Sequence, residues 1–273
     1  MFIKYLDIQL NIENIINNEA SGDSVFFLHG FTGCANDWIP IVSSLNKSYN
    51  YYLVDLVGHG KSDSPKEGYN YSIDSIVNQL QEIILSLCNK KIILTGYSFG
   101  GRIALNFALK NGAMLKGLIL ESSTWGISDE QLREDRVNQD ELLAAFIENN
   151  PIEKFIDYWM NLELFNTQRR FSNKIRNLIR EKKLENNTIG LANSLRYSGT
   201  GKMIPLYDYV KDIFVKTLLI TGELDSKFTD INNSMVKFFP NAEHLIIKNA
   251  GHNTHLEEPH KFIEAVNKFL RVI

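Results

Sequence analysis

The chain has 273 residues, 44% of them apolar, with a net charge of −3 and two cysteines. That is enough apolar material for one large α/β domain, or for a domain carrying an insertion. The charge balance offers nucleic acid no global positive field, and two cysteines cannot build a disulfide framework, so any anionic ligand must meet a local cluster of basic side chains.

In chain order, "MFIKYLDIQL" comes first. Lys4 and Asp7 interrupt it, so it cannot be a signal-peptide core, and its alternation suits an edge hairpin. The runs "SVFFLHG", "YNYYLVD", "KIILTGY", "LKGLILE", "VKTLLITG" and "AEHLIIK" follow. Most are near-continuously apolar, as strands buried on both faces of a parallel sheet should be. Helical patterns lie between them, at "NDWIPIVSSL", at "SIDSIVNQLQEIILSL", after Ser98, and at "HKFIEAVNKFL". The alternation predicts an α/β fold: a mostly parallel sheet flanked by helices. No apolar run reaches membrane-spanning length, so the expected setting is the cytoplasm, without membrane or nucleic-acid partners. The oligomeric state stays open.

From about Ser123 to about Pro205 the strand signal stops, and the text turns helical, charged and aromatic. The expected organisation is a core in two parts, residues 1–122 and 206–273, with a helical cap over 123–205. An insertion of this kind sits above the carboxyl ends of the strands, where open α/β sheets bind ligands.

The stretch "TGYSFGGRIAL" places Ser98 in a G-x-S-x-G pattern between a strand and a helix. Flanking glycines allow the tight turn that lifts a hydroxyl above the sheet, against a helix amino terminus. A serine hydroxyl needs a histidine partner, and the histidine needs a carboxylate to fix its tautomer. Asp225 in "GELDSKF" and His252 in "NAGHNTH" follow strands in the order such a triad requires; Glu223 is the rival acid. The expected oxyanion donors are the backbone N–H groups of Phe99, next to the nucleophile, and Phe31, after "FFLHG". His29 should support the loop that follows it. His255 and Glu258 form H-x-x-H-x-x-E with His252, a weak metal pattern set aside for the triad; no metal and no organic cofactor are expected.

"LHGFTG", "DLVGHGKS", "GYSFGG" and "AGHNTHLEEP" resemble the α/β-hydrolase superfamily. Narrower pieces resemble the menaquinone-biosynthesis synthases that make 2-succinyl-6-hydroxy-2,4-cyclohexadiene-1-carboxylate: "GYSFGGRIAL", "LESS", the Arg133/Arg136/Asp140 spacing, "GLANSLRYSGTGKMIPLYD" and "GELDSKF". Val57 departs from the pattern, which usually has proline there. The resemblance implies a lyase that eliminates pyruvate from an enolpyruvyl-bearing cyclohexene carboxylate, with the triad acting as a base. A polycarboxylate substrate gives Arg102, one helical turn after Ser98, a function. Arg133, Arg136 and Arg196 in the cap are further candidates, with one of the first two reaching in; Lys202 and Lys227 rank lower. Tyr97 and Trp159 are candidate pocket walls. The alternatives are an esterase or thioesterase, a carbon–carbon bond hydrolase using Ser98 as a covalent nucleophile, and an inactive ligand-binding protein on the same fold.

Overall fold

The computed structural model describes residues 1–17 and 22–273. In chain order its elements are β1 (Phe2–Tyr5), β2 (Ile8–Ile15), β3 (Ser24–Leu28), α1 (Ile39–Val42), β4 (Asn50–Val54), α2 (Ile73–Leu87), β5 (Ile92–Tyr97), α3 (Phe99–Asn111) and β6 (Leu115–Glu121). They continue with α4 (Glu130–Glu148), α5 (Ile152–Met160), α6 (Asn173–Leu184), α7 (Thr188–Ser198), β7 (Lys216–Gly222), α8 (Ser226–Met235), β8 (Ala242–Ile247), α9 (Thr254–Glu257) and α10 (Pro259–Leu270).

The strands form one sheet in the order β1-β2-β4-β3-β5-β6-β7-β8. β1 and β2 are antiparallel, β2 meets β4 antiparallel, and every other pairing is parallel. Pairing by period two divides the side chains between the faces. On β3, Phe26 and Leu28 join the core beneath α2 and α3, while Val25 and Phe27 join Trp38 and the apolar stripe of α10. The stripe on α2 is Ile76, Val77, Leu80, Ile83 and Ile84, the spacing of one helix face, and Ser72 caps its first turn by accepting from the Ser75 N–H. On α10, Pro259 opens the helix and Phe262, Val266 and Phe269 face the sheet.

The first run is the edge hairpin its alternation suits: two antiparallel strands joined by a turn at Leu6, which adopts a φ of 52°. One predicted helix differs in detail. "NDWIPIVSSL" holds a 3-10 turn at Ala35–Trp38 and then only the short α1, where Pro40 is tolerated in the first turn.

Between β6 and β7 lie α4 to α7 and short 3-10 turns. These helices have a small core of their own, built from Ala144, Ile147, Phe155, Ile156, Leu191, Ala192 and Leu195, and Phe31, from the turn after β3, packs against it. Full burial of each large apolar side chain contributes about 1.5–3 kcal/mol before chain entropy is counted.

Candidate active site

Because β3, β5, β6, β7 and β8 run parallel, their carboxyl ends open on one side. Ser98 follows β5 directly, with φ 49° and ψ −103°, a backbone state that L residues rarely occupy. Two contacts hold it there: the Ser98 N–H donates to the Glu121 carbonyl at 2.8 Å, and the Gly100 N–H donates to the His29 carbonyl at 3.1 Å. Gly100 must be glycine, since a Cβ would lie 2.5 Å from the Leu28 carbonyl oxygen and 2.6 Å from that of His29.

The loop after β8 brings His252 to Ser98. Ser98 Oγ lies 3.0 Å from His252 Nε2, and His252 Nδ1 lies 2.7 Å from Asp225 Oδ2. With Nδ1–H donating to the carboxylate, Nε2 is left as the acceptor for the serine hydroxyl. Asp225 follows β7 and caps α8, accepting from the Phe228 N–H with its other oxygen. Glu223 turns elsewhere and accepts from the Asn249 N–H at 3.0 Å. Both His252 and Asp225 are buried, and the Phe228 ring lies 4.4 Å from the imidazole.

Phe99 is the first residue of α3, so its N–H has no acceptor within the helix. Phe31 sits in a turn closed by the Gly33 N–H on the Gly30 carbonyl at 2.9 Å, which leaves the Phe31 N–H out of the closing bond. His29 braces this turn, donating from Nδ1 to the Gly30 carbonyl at 2.8 Å while Nε2 accepts from the Leu56 N–H at 3.0 Å. Burial holds the His29 imidazole below the usual histidine range, so the ring stays neutral and can keep both roles.

These groups border a cavity of about 620 Å³ whose wall includes Phe31, Tyr97, Ser98, Phe99, Arg102, Arg136, Trp159, Lys227 and His252. Arg102 is buried, donates from Nη1 to the Ser198 carbonyl at 2.7 Å, and lies over the Phe99 ring. Burial pushes its guanidinium down to about 9, with Arg136 adding to the shift and Asp140 opposing it. Arg136 pairs with Asp140 at 2.9 Å. Burial raises the Asp140 carboxyl above the ordinary aspartate range, and its Oδ2 has no partner among the described residues.

Two cap arginines expected in the site are elsewhere. Arg196 is drawn to Glu141 at 2.9 Å and Glu148 at 2.5 Å, on the outer side of α4 and α7. Arg133 donates to the Ile127 and Ser128 carbonyls, folding back over the amino end of its own helix. Neither borders the main cavity, and neither does Lys202. His255 turns to Glu121, not toward a metal position, and among the described residues no group of three or more His, Cys, Asp or Glu side chains could hold a metal ion.

The sequence reading missed part of the wall. Glu163, Phe165 and Thr167 border the cavity from the 3-10 segment Glu163–Arg170. The sequence gives no signal for them, because the helical pattern simply runs out after Met160. Phe228 had a signal: it closes "GELDSKF", three residues after the acid that caps its helix.

A serine on a strained strand-to-helix turn, with a histidine and a carboxylate at successive strand ends within hydrogen-bond reach, defines the α/β-hydrolase class. The alpha/beta hydrolase fold family matches residues 23–259, and the chain belongs to it. It is 40% identical over 253 residues to a Bacillus subtilis (strain 168) protein named putative 2-succinyl-6-hydroxy-2,4-cyclohexadiene-1-carboxylate synthase, covering 93% of this chain and 92% of that one. It is 28% identical over 250 residues to the synthase of the same name from Salmonella typhimurium (strain LT2), covering 91% and 94%. The solved structure of MenH from S. aureus superposes with a TM-score of 0.90 at 32% identity, covering 95% of this chain and 97% of that one.

Proposed function

We propose that this protein is a carbon–oxygen lyase that eliminates pyruvate from 2-succinyl-5-enolpyruvyl-6-hydroxy-3-cyclohexene-1-carboxylate to give 2-succinyl-6-hydroxy-2,4-cyclohexadiene-1-carboxylate. The observation that carries the reading is one shared wall: Arg102 and Arg136 border the same cavity as Ser98 and His252. A neutral ester needs no such cations, whereas a substrate with several carboxylates does. The names of the Bacillus and Salmonella relatives support the same activity.

In this reading Ser98, relieved of its proton by His252 with Asp225 fixing the tautomer, removes the proton α to the succinyl ketone. The C–H electron pair moves toward the ketone, its oxygen takes on enolate charge, and the Phe31 and Phe99 amides stabilise that charge. As the carbonyl re-forms, the pair returns to the ring as a new double bond, the existing ring double bond shifts by one position, and the C–O bond to the enolpyruvyl group breaks; its pair leaves with the pyruvate enolate, which takes up one proton in place of the one removed. Arg102 and Arg136 hold substrate carboxylates, and Tyr97, Trp159 and Phe165 exclude water. Residues 123–205 act as the cap over this chemistry. Every step in this reading uses the chain's own side chains and backbone amides and calls for no metal or organic cofactor.

Among the described residues no helix is long and apolar enough to cross a membrane. The proposed setting is the cytoplasm, supported by two free thiols, Cys34 and Cys88. The test is product analysis with the enolpyruvyl substrate. Equimolar pyruvate and diene are expected; cleavage of simple esters without pyruvate release would overturn the reading.

A further inference from the structure

Behind the Ser98–His252–Asp225 array lies a second buried polar pair. Glu121 ends β6 and is fully buried. Its Oε1 accepts from the Thr254 hydroxyl at 2.7 Å and from the His255 N–H at 3.0 Å, and its Oε2 lies 2.6 Å from His255 Nδ1. The donors sit two and three residues after His252, at the start of α9. The backbone carbonyl of the same Glu121 accepts the Ser98 N–H. One residue therefore grips the nucleophile's turn with its main chain and the histidine's loop with its side chain. The His255 ring is held on both sides, stacked on Trp38 at 4.0 Å and edge-on to Tyr97 at 5.1 Å. Tyr97 in turn precedes Ser98 and packs against His252 at 5.5 Å.

Burying a carboxylate is unfavourable unless its lone pairs are engaged. Here the side-chain partners among the described residues, Thr254 and His255, both come from the first turn of the helix that follows the loop of His252. A purely structural clamp could sit anywhere along β6; this one joins the two segments whose relative position sets the 3.0 Å contact between Ser98 and His252.

We infer that Glu121 and His255 are positioning residues, fixing the loop of His252 against the turn of Ser98 so that the serine and histidine stay within proton-transfer reach. The inference rests on the proposal that Ser98, His252 and Asp225 perform the chemistry. It does not require that the substrate be the enolpyruvyl compound.

The test compares His255→Phe, which keeps the ring packing and loses the bond to Glu121, with His255→Asn, whose side-chain amide can stand in for Nδ1. Each is measured for kcat, KM, thermal midpoint and the rate at which a fluorophosphonate labels Ser98, per folded molecule. His255→Phe should lower kcat and the labelling rate together by about 30- to 100-fold, the scale of a small misplacement of reacting groups, with KM little changed. His255→Asn should recover most of both rates. Parent-like rates in both variants, with only the thermal midpoint lowered, would overturn the inference and leave a structural clamp. Should His255→Phe fail to fold, Glu121→Gln carries the same comparison: a paired loss of kcat and labelling supports positioning, and parent-like values overturn it. Labelling that falls as expected in a protein whose parent form releases no pyruvate would sustain the inference while refuting the lyase reading.

Discussion

The Arg102 guanidinium donates to the Ser198 carbonyl at 2.7 Å, joining the helix that begins at the Ser98 turn to the last helix of the cap. Arg102 borders the cavity, yet its neighbouring carboxylate, Asp140, is already engaged by Arg136. A buried cation whose neighbouring carboxylate is already shared is primed for an anionic ligand. Arg102→Lys keeps the charge and loses the planar fork. It should lower kcat/KM on the polyanionic substrate by about thirtyfold, or about 2 kcal/mol. Steady-state kinetics decides; parity with the parent would leave Arg102 as a tie between helices.

Arg196 gives the contrasting case. Its partners Glu141 and Glu148 are themselves half exposed, and pairs of this kind contribute about 0–1 kcal/mol each. Arg196→Ala should leave kcat/KM unchanged and lower stability only slightly. A loss in kcat/KM comparable to that of Arg102→Lys would mean that the outer ion pairs open during turnover.

That contrast shows where legibility ends. Ser98, Asp225 and His252 could be read from the sequence because the chemistry demands given residue types just past apolar strands, and strand ends are fixed by burial. The sheet was legible because strands buried on both faces leave little room for polar text. The direction of a cap arginine was not. Arg133, Arg136 and Arg196 lie on α4 and α7, where rotation about the helix axis chooses between cavity and solvent; neither helix carries a clear apolar stripe, so that rotation is set by mutual packing of residues such as Ile147 and Leu191 from different helices. The alternation of the first run already suited a hairpin, but its turn residue was not legible, because Leu6 carries no turn signal although its φ is positive.

The strained turn at Ser98 separates stability from activity. Ser98→Ala and His252→Ala should each lower turnover by about a thousandfold or more while the fold persists. Ser98→Gly should be as inactive as Ser98→Ala but more stable than it by about 1 kcal/mol, because glycine tolerates a positive φ at little cost. Chemical denaturation alongside the kinetics tests both parts, and equal stability of the Ala and Gly variants would show that the turn stores no strain.

Beneath the Phe31 turn, His59 lies 5.0 Å from His29 and is buried, with its Nε2 lacking a partner among the described residues. Burial lowers the His59 imidazole well below its ordinary value of 6.5, and the neighbouring His29 adds to the shift. Below pH 6.5 the unfolded chain takes up a proton at each site while the folded chain resists it. Stability present above pH 6.5 is therefore lost as pH falls toward the lowered folded values. Each such group adds about 1.4 kcal/mol per pH unit in that window. Urea unfolding between pH 7.5 and pH 5.5 should show a shallower decline in His59→Phe than in the parent. An unchanged slope would mean that His59 is protonated alike in both states.

The last prediction concerns what Ser98 does with its proton gone. The 3.0 Å contact with His252 and the amides of Phe31 and Phe99 would serve either an acyl-forming nucleophile or a base that lifts a proton from carbon. The two differ in bonds made. An elimination breaks C–H and C–O bonds in the substrate and forms none to the serine, so water is not a reactant. Oxygen-18 from solvent should not enter the ring product through catalysis, and mass spectrometry during turnover should find Ser98 unmodified. Deuterium at the abstracted carbon should slow kcat/KM, unless substrate capture or product release limits the rate. The cations point the same way: Arg102 and Arg136 can anchor carboxylates and leave the ketone over the amides, where enolate charge develops. An acyl adduct on Ser98 that forms and decays at the rate of turnover would reassign the serine as a nucleophile, and the same geometry would then be that of a hydrolase.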